Sequence, residues 1–142
     1  MVRSVLNNYI LICSLVSWLA TQLLKILTGT YHNRNLSVVE VVLANGGMPS
    51  SHAGAVAALC TASLLKYGVD SFQFAFTAVF ALVVIRDASG VRNQVGKQAK
   101  FINQMFEDER ADLKELIGHT PLQVAVGAAV GVLIAVAFWQ VY

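Results

Sequence analysis

Residues 121–141 read PLQVAVGAAVGVLIAVAFWQV, twenty-one positions without an Asp, Glu, Lys, Arg or His. A helix needs about 20 predominantly apolar residues to cross the hydrocarbon of a bilayer. This run meets that length and ends beside Trp139 and Tyr142, amphipathic rings of the kind that settle at the membrane–water boundary. Three more apolar segments precede it. One runs from about Tyr9 to Leu27, with Trp18, Gln22 and Lys25 in its second half; another from His52 to Leu65, closed by Lys66; a third from Phe72 to Ile85. The last two are short for a full crossing, so they borrow flanking polar residues or line a thinner, water-accessible region.

Composition agrees with the segments. The 142 residues are 56% hydrophobic and 13% charged, about half the charged share of an ordinary soluble domain. A soluble core of this size has no use for so much apolar surface. The expected fold is all-α, a polytopic integral membrane helical bundle of about four transmembrane helices plus short interfacial helices. The length suits a single domain over 1–142. A net charge of +2 is too small to argue for nucleic acid. Cys13 and Cys60 lie inside apolar runs without metal-ligand spacing and read as helix packing. The first segment carries polar residues and lacks a small-residue cleavage site, unlike a removable signal peptide.

Other segments are helical without being spans. Ser37 to Ala44 is apolar apart from Glu40 and has the length of an interfacial or re-entrant helix. Val91 to Ile117 interleaves charged residues with Phe101, Ile102, Met105, Phe106, Leu113 and Leu116, an amphipathic spacing that places it at the membrane surface. Gly127 and Gly131 form a GxxxG pair in the last span, a signature of close packing within the chain or between copies, and a homodimer is one expectation.

Four crossings have a consequence for the polar residues. The ends of spans one and three lie on the same membrane face as the starts of spans two and four. Lys25, the run Gly46-Gly47-Met48-Pro49-Ser50-Ser51-His52, Arg86, Asp87, Arg92, Lys97 and His119 therefore converge on one face. A helix start offers N–H groups without intrahelical partners and a partial positive charge, which suits an anion. Lys25, Arg92 and Lys97 add cations, and Arg grips phosphate through paired hydrogen bonds. His52 and His119 titrate near neutrality, as a nucleophile and a proton donor require. This is equipment for phosphoryl transfer. Each residue also has a structural reading: Ser50 or Ser51 as a helix cap with His52 beside it, Lys25 snorkelling to the interface, Arg86 pairing with Asp87, His119 merely preceding a helix.

The blocks GGMPSSHAGAVAAL (46–59), DASGVRNQVGKQAKFIN (87–103) and GHTPLQVAVGAAVG (118–131) resemble, in order, the divergent branch of the type 2 phosphatidic acid phosphatase family. That branch is related to acid phosphatases and vanadium-dependent haloperoxidases, and the resemblance runs from about Gln22 to Gly131. It implies an all-helical membrane enzyme, independent of metal or cofactor, that dephosphorylates a lipid phosphate through a phosphohistidine intermediate. By the same resemblance His52 is the general acid and His119 the nucleophile. Ser51 stands where the parent family has glycine. Gln123 stands where the parent has the aspartate that orients the nucleophile; an amide accepts from the imidazole but brings no negative charge.

The cation motifs depart further. The parent's Lys is followed by Arg seven residues on, whereas Lys25 is followed by Arg34 nine on. The parent's second Arg lies just before the nucleophilic histidine, whereas Arg92 lies 27 residues before His119, so Arg92 with Lys97 takes that job. Asp87 has no counterpart in the parent motif and is read as support for Arg92 or Lys97.

Eight Lys and Arg (25, 34, 86, 92, 97, 100, 110, 114) fall on the site's face, against Arg3 and Lys66 opposite. The positive-inside rule then puts the site on the cytoplasmic side of a bacterial-type plasma membrane. Besides a phosphatase acting on a phosphatidate-like, phosphatidylglycerophosphate-like or polyprenyl lipid, two readings stay open. One is a silent protein binding anionic headgroups, the other a small transporter or channel subunit assembled through Gly127 and Gly131.

Overall fold

A computed structural model of the chain describes residues 7–28, 47–105, 113 and 118–141. These form five helices: α1 (Tyr9–Leu27), α2 (Ser51–Tyr67), α3 (Phe72–Ser89), α4 (Val91–Met105) and α5 (Pro121–Trp139). The chain is all-α, and among the described residues three stretches are long and apolar enough to cross a membrane: α1, α5, and Phe72–Met105, which holds α3 and α4. At about 1.5 Å per residue the 19 residues of α1 reach about 28 Å, close to the roughly 30 Å of hydrocarbon.

Local chemistry starts each helix where the polar residues stand. The Asn8 side chain accepts from the Leu11 N–H, Ser50 from Ala53 and Ser71 from Phe74, satisfying donors that the first turn leaves open. Thr120 opens α5 with a capping box: its hydroxyl accepts from the Gln123 N–H, and the Gln123 side-chain oxygen accepts from the Thr120 N–H at 2.8 Å. Pro121 follows, where a missing N–H costs nothing.

The helices run up and down with α2 in the middle, packed on α1, α3 and α5. At one end Lys25 Nζ donates to Ser51 Oγ (3.3 Å), the Ser50 N–H to the Gln123 carbonyl (3.0 Å), and the His119 N–H to the Ala88 carbonyl (3.0 Å). The ends of α1 and α3 and the starts of α2 and α5 therefore meet there. At the other end the Tyr9 hydroxyl donates to the Ala135 carbonyl (2.7 Å) and its ring lies 5.7 Å from that of Trp139.

The distribution of side chains is that of a bundle in lipid. The interior is small or polar: Cys13, Ser17, Thr21 and Lys25 form a four-residue stripe down α1, facing Ala53, Ala57, Ala58 and Ala62 of α2. Large apolar side chains point outward, among them Leu15, Leu19 and Leu23 on α1, Phe72, Phe76 and Leu82 on α3, and Leu122 and Leu133 on α5. Lipid supplies no hydrophobic drive between helices, so association rests on close packing of small residues and on internal hydrogen bonds.

Gly127 and Gly131 provide the closest packing. A Cβ at Gly127 would collide with the Ser50 carbonyl, and one at Gly131 with the Gly54 carbonyl and the Ala58 N–H. Both glycines face α2 of the same chain. Of the two expectations for the pair, packing within the chain is the one found, and α2 takes up the face that a channel assembly through these glycines would need. The third apolar segment continues four residues beyond Ile85, because Arg86 and Asp87 are the polar end of a helix and not its terminator. Of the segment expected to lie at the surface, the described helix covers Val91–Met105. The expected helix at Ser37 to Ala44, and Arg34, lie outside the described residues.

Gly127→Val forces α5 off Ser50, and overpacking of this kind costs about 1–3 kcal/mol. We expect it to lower the melting temperature in detergent by several degrees, while Leu133→Ala on the outer face leaves it nearly unchanged. Equal melting of the two variants would contradict the packing described.

Candidate functional site

Three short structural devices build the site at the convergent end. Ser50 caps α2 and is itself fully buried, its N–H held by Gln123 and its carbonyl by the Gly54 N–H. The cap delivers Ser51 and His52 into the first turn, where the dipole is positive. Lys25, on the last turn of α1, is fully buried and reaches Ser51 Oγ. Gly118, at φ +88°, makes the turn that presents His119; a Cβ there would also strike the backbone of Arg92 and Asn93.

His119 is then held by its main chain. Its N–H donates to Ala88, and its carbonyl accepts from Asn93 Nδ2 at 3.2 Å. The ring is 3% exposed and lies edge-on to that of His52, with centroids 6.2 Å apart and planes at 69°. Neither ring nitrogen has a hydrogen-bond partner among the described residues. Gln123, expected to orient this imidazole, spends its side-chain oxygen on the Thr120 N–H. The reason is local: after a Thr cap, a Gln at the third helical position closes on the cap's backbone.

His52 is the outer imidazole. It lines an open cavity of about 240 Å³ together with Asp87 and Arg92 at its polar end and Val83, Val84 and Ala88 along its apolar wall. Asp87 Oδ2 accepts from Arg92 Nε at 2.5 Å, and both side chains are 43% exposed. Asp87 therefore takes Arg92 and not its neighbour Arg86, which is exposed.

Of the residues singled out from sequence, Lys25, Ser50, Ser51, His52, Asp87, Arg92, His119 and Gln123 come together. Lys97 does not: it is exposed and borders a separate depression with Gln98, Phe101 and Ile102. On α4 it stands five residues beyond Arg92, about 140° further round the helix, so the two cannot share one face. Asn93 and Gly118 were not anticipated. Both sit inside the quoted blocks, and the signal lay in Gly118, a glycine between a charged segment and a helix start. Thr28 also went unremarked; its hydroxyl donates to the Met48 carbonyl at 2.7 Å and ties the end of α1 to the turn before α2.

Electrostatics follow from this crowding. Burial, then the positive charges of Lys25, His52 and Arg92, push the His119 imidazole down to about 4 from the usual 6.5. At pH 7 it is neutral and carries a free lone pair. Between pH 6.5 and 4 the unfolded chain accepts a proton that the folded site refuses, so His119 lowers stability as pH falls through that window. An imidazole NMR titration in detergent should give His119 a midpoint near 4; a midpoint near 6.5 would mean the ring is not enclosed as described.

Comparison with known proteins places the chain in a family. A family model described as "Divergent PAP2 family" matches residues 6–134. The uncharacterized membrane protein YuiD of Bacillus subtilis (strain 168) is 37% identical over 147 aligned positions, covering 91% of this chain and 92% of that protein. No solved structure matches.

Proposed function

This chain belongs to the Divergent PAP2 family, and on that premise we propose that it is an integral membrane phosphatase that hydrolyses the phosphomonoester of a lipid through a phosphohistidine. The observation that carries the reading is the convergence of two histidines, Lys25, Arg92 and the capped start of α2 at one end of the bundle. The cavity is polar at His52, Asp87 and Arg92 and apolar at Val83 and Val84, which suits a phosphate attached to a hydrocarbon.

In this mechanism the phosphate enters at Arg92, and its oxygens meet Lys25, Ser51 and the first N–H groups of α2. Ser50 stays a buried cap that aims those groups. His119 is buried beside His52, so in this mechanism binding parts the two rings. The bound phosphate's negative charge lets His52 take up a proton from water; neutral His119 then attacks phosphorus, the bond from phosphorus to the lipid oxygen breaks, and His52 gives its proton to that oxygen. The lipid alcohol leaves. Neutral His52 then takes a proton from water, whose oxygen attacks the phosphohistidine; the nitrogen–phosphorus bond breaks and inorganic phosphate departs. The cations hold charge that grows on the phosphoryl oxygens.

A second reading, a silent protein that binds anionic headgroups, is favoured by one observation: Gln123 is engaged in the cap, and among the described residues the His119 ring has no acceptor to orient it. Phosphate release by purified protein across a panel of phosphatidate, phosphatidylglycerophosphate and polyprenyl phosphates separates the two. We expect release that persists in chelator and falls at least 100-fold in His119→Ala and His52→Ala. Equal release by wild type and both variants, or none from wild type, would sink the enzyme reading.

For the membrane we propose a bacterial-type plasma membrane with the site facing the cytoplasm, on the distribution of Lys and Arg. A cysteine placed at residue 2 should react with an impermeant thiol reagent in intact cells; an unreachable cysteine there reverses the orientation.

A further inference from the structure

The described residues hold two carboxylates, Asp70 between α2 and α3 at the far end and Asp87 in the candidate site. A negative charge beside a phosphate pocket is a cost unless it does something for the cations. Asp87 lies on the last turns of α3, one turn before the break at Gly90, and Arg92 lies at the start of α4 beyond it. Their bond spans that break. It uses Nε of the guanidinium, one of five N–H donors, and leaves the four on the terminal nitrogens. Two of those four, one on each terminal nitrogen, form the paired edge that matches two phosphate oxygens. The pair is 43% exposed on both sides and borders the same cavity as His52.

We infer that Asp87 is a positioning residue that fixes the Arg92 guanidinium by its Nε, so that its terminal nitrogens meet a phosphate monoester beside His52. The inference deepens the proposed function but needs only phosphate binding, not turnover. In this chain the position four after His119 carries an amide, Gln123, and the structure commits that amide to a helix cap. The site's carboxylate thus comes from α3 and acts on a cation, where the parent pattern places one on the nucleophile. A free guanidinium sweeps several rotamers. Holding it by one edge removes that freedom before the ligand arrives, so the benefit appears as affinity.

The test measures binding of inorganic phosphate to the full chain in detergent by calorimetry, with melting temperature as a control. Asp87→Asn and Arg92→Lys are each expected to weaken binding about tenfold. The double variant should be no weaker than the poorer single, because an ammonium has no Nε edge for Asp87 to hold. Asp87→Glu should recover part of the loss, and Asp87→Asn should melt within a few degrees of wild type. Asp87→Asn binding as wild type does, multiplicative losses in the double variant, a large fall in melting temperature, or no phosphate binding by wild type would each overturn the inference. Wild type that binds phosphate but releases none from lipids would refute the phosphatase and leave the role of Asp87 standing.

Discussion

The backbone of α5 lies directly on that of α2, and the site depends on this approach. With no side chain at Gly127 or Gly131, main-chain atoms of Ser50, Gly54 and Ala58 come to within contact of α5. The Ser50 N–H then reaches the Gln123 carbonyl. That bond sets the start of α5 against the start of α2, and His119 and His52 belong to those two starts. In lipid, where large apolar side chains gain little by being inside, such approach of small residues holds helices together. Any side chain at Gly127 would separate the imidazoles as surely as it would loosen the bundle.

The same small-residue interior lets a lysine be buried. Lys25 closes a stripe of Cys13, Ser17 and Thr21 on α1 and is fully enclosed, with Ser51 as its hydrogen-bond partner. An enclosed cation without a carboxylate partner costs free energy. Among the described residues, the end of the bundle that holds Lys25, Arg92 and the two imidazoles has one carboxylate, Asp87. The imbalance favours an anion there, and burial first and these cations second keep His119 neutral. On the proposed function, one arrangement would supply both an attraction for phosphate and a lone pair to attack it.

Gln123 illustrates how one residue is claimed by competing demands. Its position relative to His119 invited a role in orienting the ring, and its position relative to Thr120 invited a capping box. The cap won because its partner lies in the same turn and pays no cost of long-range placement. His119 is instead oriented through its main chain, by Ala88 and Asn93, contacts that reach from residue 119 back to the junction of α3 and α4.

Apolar run length and the near absence of charge were enough, in the sequence alone, to establish a membrane-embedded helical bundle, because hydrocarbon leaves the backbone few other options. The alternation of crossings also gathered Lys25, Ser50, Ser51, His52, Arg92 and His119 at one end, since antiparallel neighbours must share their termini. Sequence could not rank the cations at that end. Lys97 and Arg92 differ by five positions, and only the orientation of α4 turns one into the cavity and the other out of it. Nor could it tell whether the GxxxG pair faced its own chain or another, which depends on where α2 lies. Spacing along a chain fixes what a helix can present; rotation about its axis, set by the neighbours it packs against, decides what it does present.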